Sequence, residues 1–315
     1  MSGISALAID LGGSHAACAV VRDGEIVASQ NIPADGSQPL ANLLPGLSDA
    51  LHALLSSTHI DCPDCAALVL GFCGIVSARE RRVLTINGKF HDAPGLDLEG
   101  WCAREFGLPF LIENDARLAL LGEHAYGAAR GAQDAVMVTL GSGIGGAALV
   151  GGRLLESRHG LAGAIGGHLP LVLGGRLCSC GNFGCAEAEA STAVLSEIYL
   201  RHSDGTEGAL SGSKAFGFLE LFEAVDAGDQ AATAALEHCL HVWSALTVAL
   251  IHAYDPEVVV FGGLVLKRAA DILPHLQEYV AAHAWTPGRV VELRPAALGS
   301  RAALRGAIPL IESNR

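Results

Sequence analysis

The chain has 315 residues, half of them hydrophobic and 17% charged, enough to bury two cores at roughly 100–200 residues per domain. Its formal net charge of −13 disfavours nucleic-acid binding, which relies on basic patches against the phosphate backbone, but leaves open a nucleotide, which needs only a small anion pocket. No basic leader ahead of an apolar run is read at the N-terminus, and no run of 18 or more apolar residues suggests a membrane span.

Residues 5–21 read as a strand, a glycine turn and a second strand, and the turn Arg22–Glu25 leads to a third strand through Ser29, a β-meander. Asp10-Leu-Gly-Gly-Ser14 puts an acid and two glycines after the first strand, a pattern that an ordinary turn also shows. Residues 40–55 carry apolar side chains at helical spacing. Cys62-Pro-Asp-Cys65 is a CxxC without a partner pair, so it, Cys18, Cys73, Cys102 and Cys239 read as buried or loop thiols. With nine cysteines in all, the chain fits a reduced, cytoplasmic protein. A short strand over 67–73 and a helix over 98–106 follow. A strand over 109–113 then delivers Asn114 and Asp115 to a helix over 116–126. A carboxylate there either accepts the proton of a hydroxyl nucleophile, with the amide orienting the substrate, or caps the helix. Two glycine loops in one chain favour the catalytic reading.

The pattern restarts with a strand over 135–140, the turn Gly141-Ser-Gly-Ile-Gly-Gly146 and a strand over 147–150. Four glycines in six positions exceed what a hairpin turn needs. Such a turn aims several backbone N–H groups at one point and so holds an anion without cationic side chains. Its likeness to residues 7–20 suggests two phosphate-gripping hairpins, one per domain. Neither is a P-loop, because the Gly-Lys-Ser/Thr ending is absent, and neither is a dinucleotide fingerprint, because strand rather than helix follows. His168, Cys178, Cys180 and Cys185 then place one imidazole and three thiols within 18 residues, a complete ligand set for a closed, tetrahedral structural zinc. A catalytic zinc would need an open position. Glu187 follows the last ligand by two residues and is held in place by it. Helices over 190–200, 214–227 and 230–254, a strand over 258–261 ending in Gly262-Gly263, and a helix over 268–282 complete the pattern. Strands alternating with helices argue an α/β fold with largely parallel sheets behind the hairpins.

Taken in order, Asp10-Leu-Gly-Gly-Ser14, Glu113-Asn-Asp-Ala116, Gly127-Ala-Ala-Arg-Gly131, Thr139–Gly146, the His168/Cys178/Cys180/Cys185 cluster, Gly184-Cys-Ala-Glu187 and Phe261-Gly-Gly263 closely resemble the ROK family of bacterial sugar kinases and related repressors. The resemblance runs along essentially the whole chain. It implies two actin-like (ribonuclease-H-like) α/β ATPase domains with ATP in an interdomain cleft. The first domain would span residues 1–115, completed by a C-terminal helix over 300–315, and the larger second domain, with the zinc site, 116–299. By the same resemblance Asp10, Gly12, Gly13 and Ser14, with Thr139, Gly141, Ser142 and Gly143, hold the phosphates and magnesium. Gly262 and Gly263 lie near the adenosine, and Asp115 is the general base for a sugar hydroxyl, usually the 6-OH. Asn87, Asn114, His168 and Glu187 contact the sugar, His168 ligating zinc through its other nitrogen. The expected protein is a cytoplasmic ATP-dependent kinase of a hexose or N-acetylhexosamine, a homodimer or homotetramer with no nucleic-acid or membrane partner.

Two stretches depart from the family pattern. Thr85-Ile-Asn-Gly-Lys-Phe90 replaces the common Asn-Leu-x-Gly-Trp form around Asn87. Ala162-Gly-Ala-Ile-Gly-Gly-His168 has Ala164 and Ile165 where most family kinases carry a glutamate facing the anomeric end of the sugar, plus one extra glycine. Some N-acetylmannosamine kinases of the family also lack that acid, so glucose is the less expected substrate and N-acetylmannosamine an alternative. The competing classes are a sugar-binding pseudokinase and a repressor of the same fold, which would carry a helix-turn-helix domain ahead of the strand at Leu7. The zinc cluster argues against an acetate-kinase-like or chaperone-type ATPase.

Overall fold

The computed structural model describes residues 3–203, 209–210 and 215–314. The opening apolar run forms β1 (Ser5–Leu11), which folds back as β2 (His15–Arg22) and again as β3 (Glu25–Pro33), antiparallel throughout. After β4 (Cys65–Phe72) come a small hairpin of β5 (Ile75–Ser77) and β6 (Arg82–Thr85), then β7 (Phe110–Asn114). β4 and β7 add in parallel beside β1, giving the order β3-β2-β1-β4-β7. β1 and β4 are buried along nearly their whole length, which is why both read as unbroken apolar runs, whereas the edge strand β3 is mostly exposed. Three helices, α1 (Leu44–Thr58), α2 (Leu98–Phe106) and α3 (Asp115–Tyr126), belong to this half. Asp97 caps α2 by accepting the Gly100 N–H, and Gly107 ends it in the left-handed conformation.

The second half repeats the plan. β8 (Ala135–Leu140) and β9 (Ile144–Val150) form an antiparallel hairpin, β10 (Arg153–Leu154) lies at its edge, and β11 (Val258–Gly262) and β12 (Glu292–Pro295) add in parallel, in the order β10-β9-β8-β11-β12. Its helices are α4 (Ala186–Ala190), α5 (Leu195–His202), α6 (Phe218–Asp226), α7 (Gln230–Tyr254) and α8 (Ala269–His283). By length and composition α7 could cross a membrane; here it is a core helix, packed against α5, α6 and α8. Its buried Trp243 donates Nε1–H to the Ala190 carbonyl at 3.0 Å.

The chain packs as two units, residues 1–132 with 153–164 and 296–315, and residues 133–152 with 165–295. The first runs on to Ala132, past the expected end at Asp115, because α3 is buried from Ala116 to Glu123 and packs against α9 (Ala302–Arg305) and α10 (Ala307–Ser313). Glu123, fully buried, accepts the backbone N–H groups of Ala128, Ala297 and Leu298 at 2.7, 3.1 and 2.8 Å. Charge-assisted bonds of this kind let a carboxylate sit in a core without a cation beside it.

Sequence periodicity departs from the structure at two further places. The helix expected over 190–200 is interrupted. α4 stops at Ala190, the chain extends at Ser191, and α5 begins at Leu195. The interruption lets the Thr192 N–H reach the Gly141 carbonyl at 3.0 Å. Of the helix expected over 214–227, Lys214 lies outside the described residues and α6 begins at Phe218.

Candidate active site and metal centre

In the first unit, β7 ends and α3 begins at Asn114-Asp115. Asn114 is the N-cap, its Oδ1 accepting the Ala116 and Arg117 N–H groups at 3.1 and 3.2 Å, while its Nδ2 donates to the Gly74 carbonyl at 3.2 Å. The cap is therefore Asn114, not Asp115. Asp115 opens the helix and accepts the Ala116 N–H at 2.8 Å. Burial pushes its carboxyl up to about 6, opposed by that N–H and by the Lys89 ammonium. Asp10, at the end of β1, is pushed up to about 7 by burial and by the charge of Asp115. Two carboxylates of raised basicity thus stand close enough to repel one another beside the Asp10–Ser14 turn, in which the Gly12 N–H donates to the His15 carbonyl at 3.0 Å.

Beneath Asp115 lies an ion pair that local sequence pattern does not mark. Glu113 and Arg117 are both buried, joined at 2.8 Å through Nε and 3.3 Å through Nη2. Glu113 also accepts the Asn114 N–H at 2.8 Å, and Arg117 donates to the Leu155 and Ala162 carbonyls at 2.8 and 3.2 Å. Every charge in the pair is met, as a buried pair requires, and the backbone on either side of Asp115 is held at both ends. Asn87, in the loop after β6, is exposed.

In the second unit the turn that joins β8 to β9 is only Gly141-Ser142-Gly143, since β9 starts at Ile144 and takes in the Gly145 and Gly146 expected in the turn; the Gly141 N–H donates to the Gly143 carbonyl at 2.9 Å. Glu187 lies against it: its Oε2 accepts the Ile144 N–H at 2.9 Å. A Cβ at Gly143 would stand 2.4 Å from that same oxygen, so the glycine is what admits the carboxylate. Ser142 is exposed at the tip of the turn, and Thr139 is half-buried and paired with Gly145 and Gly262. Gly262 ends β11. Gly263 follows at φ +103, where a Cβ would lie 1.9 Å from the Leu140 carbonyl oxygen. Gly263→Ala is therefore expected to lower the melting temperature well beyond Gly151→Ala, which also sits at positive φ (+58) but meets no atom within 4 Å. Equal losses in the two variants would show that the close approach to β8 is not limiting.

His168, Cys178, Cys180 and Cys185 converge, their ligand atoms all within 4.8 Å of one another. The Cys178 sulfur is 3.5 Å from His168 Nδ1, and the Cys180 and Cys185 sulfurs are 3.7 Å apart. A tetrahedral zinc with bonds of about 2.3 Å to sulfur and 2.0–2.1 Å to nitrogen sets ligand separations of about 3.6–3.8 Å, so the set fits that ion. Burial and the neighbouring sulfurs hold the Cys185 thiol above its usual range; a dication would relieve this repulsion. With Nδ1 turned to the sulfurs, Nε2 is the nitrogen left for another partner. The loop is shaped by Glu189, buried in α4, whose carboxylate accepts the Arg176 N–H at 2.6 Å.

The sites expected from sequence thus fall into two groups. Asp10, Gly12, Gly13, Ser14, Asn87, Asn114 and Asp115 belong to the first unit, and Thr139, Gly141, Ser142, Gly143, His168, the three cysteines, Glu187, Gly262 and Gly263 to the second. Arg117, Glu189 and Lys89 went unmarked. Their partners lie in distant or differently oriented segments; even Glu113 and Arg117, four residues apart, stand on either side of the junction between β7 and α3 rather than on one helix.

The ROK family model matches residues 6–314. The chain is 31% identical over 310 residues to the glucokinase of Halalkalibacterium halodurans, covering 95% of this chain and 92% of that protein. It is 32% identical over 284 residues to the N-acetylmannosamine kinase of Escherichia coli O157:H7, covering 88% and 89%. Its fold matches that of a ROK family glucokinase from Streptomyces griseus, solved in complex with glucose and AMPPNP, with a TM-score of 0.78 and 28% identity over 98% of this chain and 99% of that one.

Proposed function

The chain belongs to the ROK family, and from that premise we propose that it is an ATP-dependent kinase of a hexose or N-acetylhexosamine, with Asp115 as general base. The observation that carries the reading is the setting of Asp115: a half-buried carboxylate with its affinity for protons raised to about 6, fixed by the Asn114 cap and the Glu113–Arg117 pair. Such a group is ionised at neutral pH yet basic enough to take a hydroxyl proton as the bond to phosphorus forms. The two glycine turns fit the rest of the chemistry, since phosphoryl transfer asks mainly for positioning and for stabilisation of charge on the moving group.

In the proposed reaction the sugar oxygen bonds to the γ-phosphorus while the bond from that phosphorus to the β-phosphate oxygen breaks. The hydroxyl proton passes to Asp115, and ADP leaves. Gly12, Gly13 and Ser14, with Thr139, Gly141, Ser142 and Gly143, hold the phosphates through their N–H and hydroxyl groups, and Gly262 and Gly263 lie near the adenosine. Asp10 would hold magnesium, which would supply positive charge to the phosphates. Asn87, Asn114, His168 and Glu187 contact the sugar; Asn114 and Glu187, already hydrogen-bonded within the protein, offer it pre-oriented groups. His168, Cys178, Cys180 and Cys185 would hold a structural zinc, their ligand atoms lying within 4.8 Å of one another.

Measuring ADP release with glucose, fructose, mannose, allose, N-acetylglucosamine and N-acetylmannosamine tests the assignment. One of these sugars should raise ADP release far above the sugar-free rate, with glucose not the best of them, because Ala164 and Ile165 replace the acid that would receive its anomeric-side hydroxyls. A flat response across the panel, with intact nucleotide binding, would instead support a sugar-binding pseudokinase.

A further inference from the structure

Lys89 lies in the loop after β6 and has no role in the proposed reaction so far. Its side chain runs through a groove that two glycines clear. A Cβ on Gly36 would stand 3.1 and 3.2 Å from Lys89 Cγ and Cβ, and one on Gly13 would stand 2.7 Å from both Cε and Nζ. The ammonium therefore ends directly over the Asp10–Ser14 turn. The groove is tied together by backbone bonds, the Gly36 N–H to the Gly13 carbonyl at 3.0 Å and the Phe90 N–H to the Gly36 carbonyl at 2.6 Å. Phe90 is buried, its ring centroid 6.4 Å from that of Phe72, and it holds φ at +40. A bulky residue keeps such a conformation only where its surroundings over-determine it, and strain of this kind gathers at functional sites.

The charge is placed as deliberately as the stem. Lys89 draws the Asp115 carboxyl and the Cys73 thiol downward, against the burial that raises both. Yet among the described residues it forms no ion pair within 4.0 Å. An ammonium brings three donors, and this one stands over Gly13 and within reach of the Asp115 charge without forming an ion pair with it. A triphosphate seated on the Asp10–Ser14 turn would otherwise meet two carboxylates with only the metal ion to offset them.

We infer that Lys89 is a further catalytic residue, its ammonium binding the γ-phosphoryl oxygens of a nucleoside triphosphate held at the Asp10–Ser14 turn. The inference rests on the kinase reading above. Lys89 keeps its own proton throughout. It stabilises charge on the equatorial oxygens while the proton of the attacking hydroxyl goes to Asp115, and it makes no contact with the departing ADP.

The experiment compares wild type, Lys89→Met and Lys89→Arg by titration calorimetry with the β,γ-imido analogue of ATP and with ADP, each with magnesium. Lys89→Met should bind the triphosphate analogue about 10- to 100-fold more weakly while ADP affinity stays within twofold, and Lys89→Arg should recover part of the loss. With the sugar found in the screen, kcat should fall about 10²-fold at a sugar KM within threefold. Lys89→Gln repeats the comparison should Lys89→Met fail to fold. A variant that binds both nucleotides as wild type does, or loses both equally, overturns the inference while leaving the kinase standing. Wild-type protein that binds neither nucleotide overturns both.

Discussion

Replacing Asp115 by Asn is expected to lower kcat by about 10²- to 10⁴-fold, the loss that follows removal of a general base, with the fold and nucleotide binding unchanged. The amide fills the same volume and can still accept the Ala116 N–H that the carboxylate receives at 2.8 Å. Stability should not suffer either. The carboxyl is raised to about 6 from an ordinary value of 3.8, so the folded protein holds its proton more tightly than the unfolded chain does. That preference adds stability below pH 4 and is lost as the pH rises through 6. Near pH 7.5 the wild type carries a carboxylate there whose charge burial disfavours, and the neutral variant should melt at the same temperature or slightly above it. In wild type, kcat/KM should fall on the acid side as pH drops through about 6, because the base must be ionised to work. The residual activity of Asp115→Asn should lack that limb. A variant retaining more than about a tenth of wild-type kcat would remove Asp115 from the role.

The elements that carry these residues were legible wherever a local rule governs them. Strand, glycine turn, strand appears twice in the sequence because backbone N–H groups that face a common point need small residues there, and the structure has β1/β2 and β8/β9 at those places. α7 was legible to the residue, its start fixed by the Asp229 cap. What escaped the sequence depends on contacts made across long separations. The first unit extends through α3 because Glu123 binds backbone more than 170 residues away. The break between α4 and α5 exists because Thr192 meets the second glycine turn. Helical propensity carries no trace of that meeting. Local pattern leaves Asp115 open as proton acceptor or cap of α3, because Asn and Asp are near-equal caps, and it is the path of β7 into α3 that gives the cap to Asn114. Lys89 was hidden for the same reason, since nothing in Asn87-Gly-Lys-Phe90 reveals that Gly13 and Gly36 open a groove for it.

Cys185→Ser is expected to abolish stoichiometric zinc, about one per chain in the wild type, and to unravel the loop between His168 and Cys185. The loop has almost nothing else to hold it. Its buried apolar cluster consists of Cys178, Cys185 and Ala188 alone, while Leu173, Leu177 and Phe183 are 98%, 66% and 56% exposed. The remaining restraints are hydrogen bonds, among them Cys178 N–H to the Asn182 carbonyl and Gly184 N–H to the Arg176 carbonyl, both at 2.8 Å, and the Arg176 N–H to the Glu189 carboxylate, with one ion pair from Arg176 to Glu197. Such bonds contribute about 0.5–1.5 kcal/mol each, against the roughly 10–16 kcal/mol with which structural zinc binds small folds. Hydrogen exchange should show the loss of protection over residues 169–185 in Cys185→Ser and in chelator-treated wild type alike, with α7 and β8 still protected because their cores lie elsewhere. Activity should fall with the metal, since His168 and Glu187 stand at the two ends of the ligand loop and Glu187 braces the Gly143 turn through the Ile144 N–H. A wild-type protein purified without metal, yet with the loop protected and the melting temperature unaffected by added zinc, would show that the four residues form a packing cluster rather than a metal site.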